Sequence, residues 1–304
     1  MWDLLHIVVS DRLFCQLYYY PDYLNAWLAQ GFSIAATDYQ GLGTPGGHPW
    51  LVTKAEAYSL IDSARSATSA FRELSKSVVI IGQSQGAHAG LSAALLAPQY
   101  APKFGFRATV ATGVPAGPPF TPDMNGPEIA APLLVTGRGI NAGRRAVLSV
   151  FRLLAFNPTF RPADYLSDRA RPAFEAARTG CSVTIDEVAS QNGVTAENLF
   201  QKTPESAIAR VTPFQQYPHP KFGQPVFIGI GLADVTVFPE GQYNFVVAAC
   251  HEGSTVEAHY YPGKDHNTAV NASLVDSIPF VKKIMAGQPI VSNCSTIKPP
   301  SSVK

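Results

Sequence analysis

From Gly31 onward, short apolar runs alternate with segments whose apolar residues recur at helical spacing, and this alternation limits the possible folds more than any other feature of the chain. Strand, helix and strand again is the order of an α/β fold, in which a parallel sheet is covered on both faces. The runs are 32–38 (FSIAATD), 77–82 (SVVIIG), 107–115 (RATVATGVP), 224–234 (QPVFIGIGLAD) and 255–263 (TVEAHYYPG). Between them Ala57, Leu60, Ile61 and Ala64 mark one helix, 87–100 (AHAGLSAALLAPQY) reads as a second, and a last helix is expected from about Asn267 to Met285.

The alternation stops between residues 116 and 217. NAGRRAVLSVFRLLAF and ADYLSDRARPAFEAART are amphipathic helical pieces with proline breaks and no clear strands, after which the earlier pattern resumes. The 304 residues therefore divide into a first part of the core (1–115), an inserted helical cap or lid (116–217) and a second part of the core (218–304). An independent helical domain, or a part of the sheet whose strands leave no clear pattern, is the alternative reading of the middle stretch. The apolar stripe at 146–156 fits the lining of a groove, and it equally fits core packing. The polar tail IKPPSSVK is expected to fray.

A formal charge of +1, from 23 Lys plus Arg against 22 Asp plus Glu, gives no field that would gather nucleic acid. Hydrophobic residues at 46% against 15% charged fit a folded core rather than disorder. No apolar run reaches the roughly 18 residues that a membrane-spanning helix needs, so the chain is expected to be soluble or to meet lipid only at its surface. MWDLLHIVVSDR carries Asp3 and no basic stretch before its apolar run, and does not read as a signal peptide. Cys15, Cys181, Cys250 and Cys294 are widely spaced, which argues against a metal or redox motif; two disulfides or four buried thiols both fit. With no phosphate loop or nucleotide fingerprint, no cofactor is expected.

Ser84 stands in GQSQG, between the SVVIIG run and a helix, the setting that a G-x-S-x-G elbow requires. Side chains at 82 and 86 would collide across such a turn, hence the two glycines. The turn lifts the hydroxyl out of the sheet and aims the Gln85 N–H at the same space, where it can hold an oxyanion. A serine hydroxyl needs a base that is itself oriented by a carboxylate, and in this setting the chain order is serine, acid, histidine. Asp234 ends the fourth run and His266 follows the fifth, both at carboxyl ends of strands, where open α/β sheets place their sites. Asp265 reads as a loop-structuring group. Glu240 falls in the helix after Asp234. His88, one turn after Ser84, either touches the site or packs against the sheet. His251 and His259 have no acid in the right order, and His6, His48 and His219 are expected in loops or at the surface.

The stretch 36–52, ATDYQGLGTPGGHPWLV, resembles the T-D-Y-x-G-x-G-T-P-x-x-H-P-Y loop of the secretory lipase family, the lipase A type of the α/β-hydrolase superfamily. The elbow, GLAD with Asp234 and KDH with His266 then fall where that family's triad falls, and the likeness covers about 31–294. It implies a mostly parallel α/β-hydrolase sheet with a helical cap over an acyl-binding groove. It also implies a secreted carboxylic ester hydrolase, a lipase or esterase acting on lipid or other hydrophobic esters and meeting a lipid interface through the cap. Acyl transfer from the same acyl-enzyme and an inactive binding homologue are the alternatives. By the same resemblance Cys250 with Cys294 matches a family disulfide, and Cys15 with Cys181 ties the early loop to the cap. One departure stands out: relatives carry early strands and an HGT-like loop that supplies a second oxyanion N–H, and no such motif occurs here. Two readings follow: the sequence begins upstream of Met1, or the chain starts late and the family's N-terminal strands are missing. LLHIVV is then the strand before a substitute loop at Ser10 and Asp11, with Asp11 the candidate second donor.

Overall fold

The computed structural model describes residues 2–8, 21–42, 44–116, 129–130, 142–157, 159–180, 182–217 and 219–302. The strands are β1 (Trp2–Val8), β2 (Phe32–Ala35), β3 (Leu74–Gln83), β4 (Gly105–Thr112), β5 (Ile129–Ala130), β6 (Gln216–Tyr217), β7 (Val226–Gly231) and β8 (Val256–Tyr261). Six of them pair in parallel as one sheet in the order β2-β1-β3-β4-β7-β8, while β5 and β6 form a short antiparallel pair. The helices are α1 (Pro21–Leu28), α2 (Thr53–Ala70), α3 (Gln85–Tyr100), α4 (Ala142–Phe156), α5 (Ala170–Thr179), α6 (Ser182–Gln191), α7 (Glu205–Val211), α8 (Pro239–His251), α9 (Thr268–Ala272) and α10 (Leu274–Met285). LLHIV, the described part of that run, is thus strand, as expected, and β1 lies inside the sheet between β2 and β3. Ser10, Asp11, Cys15 and Cys181 lie outside the described residues.

Successive side chains of a strand point to opposite faces, and β3 shows what that requires. Val78 and Ile80 enter a core built with Leu60 and Ile61 of α2, Leu91 of α3 and Phe245 of α8. Val79 and Ile81 enter the other core, with Trp27 of α1, Phe227 of β7 and Phe280 of α10. Both faces are apolar, so the strands read in sequence as unbroken runs instead of alternating ones.

Helices α4 to α7 fill the stretch between β4 and β7 and share a core of their own. Val147, Val150 and Leu153 pack there with Phe174, Ile185 and Val211, and Val52 joins them from the loop before α2. The stripe at 146–156 is therefore core packing at these positions. Strands β5 and β6, two residues each, were not expected in this stretch; they are too short to leave a periodic signal. The single helix expected over 267–285 is divided at Ser273, whose buried hydroxyl donates to Val270 O at 2.7 Å and competes with the helical pattern. Among the described residues no helix is long and apolar enough to cross a membrane.

As far as Ser302 the C-terminal segment is docked rather than frayed. Asn293 Nδ2 donates to Ala258 O at 2.7 Å and its Oδ1 accepts from Ala258 N at 2.9 Å, so one amide side chain occupies the outer edge of β8. Tyr260 donates to Lys298 O at 2.6 Å, and Pro300 is buried. The Cys250–Cys294 disulfide fastens this segment to the end of α8, across 44 residues of sequence. Replacing both cysteines by alanine is expected to lower the unfolding free energy by about 2–4 kcal/mol. Denaturant unfolding without reductant measures this, and an unchanged midpoint would contradict it.

Candidate active site

A parallel sheet brings the carboxyl ends of its strands to one edge. Four ends meet here: Ser84 follows β3, Gly113 follows β4, Asp234 lies just past β7, and His266 lies just past β8. Ser84 has φ 56° and ψ −118°, a conformation that residues with a Cβ rarely adopt. Its N–H donates to Thr112 O at 2.9 Å, and its carbonyl accepts the His88 N–H at 3.0 Å as α3 begins. A Cβ on Gly82 would stand 2.1 Å from Gly86 O, so the steric reason holds for Gly82. Gln85 is the first residue of α3, and the first N–H groups of a helix have no partner within it.

Asp234 is 2% exposed. Its Oδ1 accepts from the N–H groups of Thr236 and Val237, each at 2.8 Å, and its Oδ2 accepts from His266 Nδ1 at 2.8 Å. With Nδ1 donating to the carboxylate, Nε2 is the free basic nitrogen of the ring. The loop carrying His266 is tied to the elbow, since Gln83 Nε2 donates to His266 O at 2.9 Å. The imidazole lies against Gly113, where a Cβ would stand 2.8 Å from His266 Cε1. Gly113, at φ 59°, adjoins the Thr112 carbonyl that holds the Ser84 N–H. The structure thus brings Asp234 and His266 into contact and sets both at the edge of the elbow.

Gln242 of α8 was not legible in the sequence. It is fully buried and makes three hydrogen bonds: Nε2 donates to Asp234 Oδ2 at 3.2 Å and to Val237 O at 2.9 Å, and Oε1 accepts from Val114 N at 3.2 Å. A glutamine eight residues past the acid belongs to no motif, and its partner Val114 is 128 residues away.

The rival residues fall elsewhere. Asp265 structures its loop, as expected: Oδ1 accepts from Thr268 Oγ1, Thr268 N and Asn267 N, and the Thr268 hydroxyl foremost holds the carboxyl below its ordinary value. Glu240 is in the first turn of α8. His88 is fully buried and pairs with Glu56 at 2.5 Å, also buried. His48, expected in a loop or at the surface, is only 6% exposed; it stacks on Tyr39 and accepts from the Gln85 side chain at 2.7 Å. His48 does lie in a loop, but residues 48–52 of that loop are buried, His48 against the elbow, whereas Asp38, Gln40 and 44–46 are exposed. His259 does have acids beside it, Glu257 at 3.1 Å and Asp276 at 3.7 Å, on the far core's side against Phe227. Among the described residues no three His, Cys, Asp or Glu side chains are grouped to hold a metal ion.

Residues 20–125 match the model of the family described as secretory lipase. None of the curated proteins matches the sequence. Among solved structures, lipase A of Candida antarctica in its closed state superposes with a TM-score of 0.75 at 21% identity, covering 98% of this chain and 73% of that one. A ligand-bound form of LipA, a rice cell wall degrading esterase of Xanthomonas oryzae, superposes with a TM-score of 0.68 at 17% identity, covering 95% and 82%. At such identities the likeness is one of fold, a parallel sheet with flanking helices of the α/β-hydrolase kind. Gly82→Ala drives a methyl group into the Gly86 carbonyl and is expected to cost about 3 kcal/mol of stability. A melting temperature equal to that of the wild type would refute the close approach.

Proposed function

We propose that this chain is a serine-dependent carboxylic ester hydrolase of the secretory lipase family. The family match and the lipase and esterase folds around it support ester hydrolysis as the reaction class. The observation that carries the finer reading is the 2.8 Å bond from His266 Nδ1 to the buried Asp234, set at the edge of the strained Ser84 turn.

In this reading Ser84 Oγ attacks the ester carbonyl while His266 Nε2 takes its proton. The carbonyl oxygen becomes an oxyanion and is met by the Gln85 N–H at the start of α3. The tetrahedral intermediate collapses, the C–O bond to the alcohol breaks, and the imidazolium gives its proton to the leaving oxygen. Water then attacks the acyl-enzyme with His266 again as base, releasing the acid and restoring Ser84. Asp234 keeps the imidazole in the Nδ1–H tautomer and stabilises the imidazolium. Gln242 holds Asp234 from behind, sharing Oδ2 with His266.

The helical stretch serves as the cap in this reading. Leu148 of α4 packs on Trp50 and Leu51 of the 36–52 loop, which in turn contacts the elbow through His48 and Gln85. Secretion accords with the Cys250–Cys294 disulfide, since such bonds persist in oxidising compartments.

Ser84→Ala is expected to reduce p-nitrophenyl ester hydrolysis about a thousandfold or more across acyl lengths from acetate to palmitate. Full activity in that variant would sink the assignment, and the length giving the highest rate would size the acyl site. Asp234→Asn is expected to lower kcat by roughly 10⁴ with little change in fold. Gln242→Leu, which removes a donor from the acid while the acid stays bonded to three others, is expected to lower kcat about tenfold; an unchanged kcat would reduce Gln242 to a packing residue.

A further inference from the structure

We infer that Glu56 is a positioning residue for this hydrolysis, holding the Ser84 turn and the Gln85 N–H in place through the Gln85 side chain and His88. The inference rests on the ester hydrolase reading above. A carboxylate removed from solvent must be compensated by donors, and Glu56 is fully buried in the first turn of α2. Its Oε1 accepts from Leu51 N at 2.8 Å and from Gln85 Nε2 at 2.7 Å, and its Oε2 accepts from His88 Nδ1 at 2.5 Å. Gln85 and His88 are three apart and so share a face of α3. One buried acid therefore grips the first turn of the helix that starts at the nucleophile, at two points.

The hydrogens in this cluster have one consistent arrangement. Gln85 Nε2 gives one hydrogen to Glu56 Oε1 and the other to His48 Nε2, at 2.7 Å each. His48 Nε2 must then be the acceptor nitrogen, and its Nδ1–H donates to Gln40 O at 2.9 Å. Turning the Gln85 amide over would set its oxygen against the carboxylate, so the side chain has a single orientation. His88 Nε2 is buried without a hydrogen-bond partner, so the ring carries its hydrogen on Nδ1, toward Glu56.

Backbone as strained as that of Ser84 persists only where its surroundings over-determine it. From the sheet, Thr112 O holds the Ser84 N–H. From the opposite side the Glu56 clamp fixes residues 85 and 88, which bracket the turn. The peptide N–H of Gln85 belongs to the residue whose side chain is clamped, and electrostatic stabilisation of an oxyanion depends on donors held in advance. The same carboxylate holds the N–H of Leu51, itself at φ 56°, so the 36–52 loop is pinned to the same point.

Glu56→Gln keeps the side-chain volume but sets an amide donor against His88. Gln85→Met keeps the backbone N–H and removes the clamp. Both are to be compared with the wild type in p-nitrophenyl ester kinetics, in the rate of inactivation by a fluorophosphonate, in affinity for an alkyl boronic acid that binds serine as a tetrahedral adduct, and in melting temperature. The expected result is a fall in kcat of about tenfold or more, with KM changed less than about twofold. Inactivation rate and boronate affinity should fall by a similar factor. Wild-type kcat and inactivation rate together with a lowered melting temperature would make Glu56 structural only and overturn the inference. If Glu56→Gln does not fold, Gln85→Met decides alone, and an unchanged kcat there overturns it. Wild-type protein that the fluorophosphonate leaves unlabelled overturns the hydrolase reading and this inference with it; labelled wild type beside unaffected variants overturns the inference alone.

Discussion

Gly82 passes so close to the carbonyl of Gly86 that a Cβ would lie 2.1 Å away, and the arrangement at the edge of the sheet depends on that approach. It lets β3 turn straight into α3 within three residues, leaving Ser84 at positive φ. A wider turn would lengthen the link, move α3 off the sheet face it covers, and carry Gln85 away from Glu56 and His48. Strain at one residue is thus kept in place by packing and hydrogen bonds on both sides of it.

Two buried polar clusters provide those bonds. On one side Asp234 collects His266, Gln242 and two backbone N–H groups. On the other Glu56 collects Gln85, His88 and Leu51 N. A buried carboxylate is costly unless every lone-pair direction finds a donor, and such a cluster tolerates only one arrangement of its members. The apolar cores on the two faces of the sheet give the fold most of its stability, whereas these clusters give the edge of the sheet a defined geometry.

The helical stretch between β4 and β7 has its own apolar core and meets the rest at the 36–52 loop, at Ala55 of α2 and through Tyr217, which packs on His88 and Phe245. Val52 sits in the helical core, Leu51 and Trp50 pack on Leu148, and His48 reaches the elbow. That loop is therefore wedged between two packed bodies, which accounts for a polar, glycine-rich segment being so deeply buried at His48 and Tyr39.

By itself the sequence determined what is local or ordered along the chain. The β3-turn-α3 elbow with Ser84 at its centre is set by neighbouring residues, and the two-sided burial of the strands appears as apolar runs. Ser84, Asp234 and His266 each follow an apolar run, so a parallel sheet sets all three at one edge. Only the tertiary structure decided which polar side chains support them. Gln242 reaches Val114 across 128 positions and Glu56 reaches Gln85 across 29. A hydrogen bond depends on position to within a few tenths of an ångström, and no periodicity or spacing encodes that. His48 lies in a loop, one of the two placements the sequence allows, but its burial there is not readable from the sequence. Residues 48–52 fold inward, because a buried acid and a buried amide supply the partners that water would otherwise give.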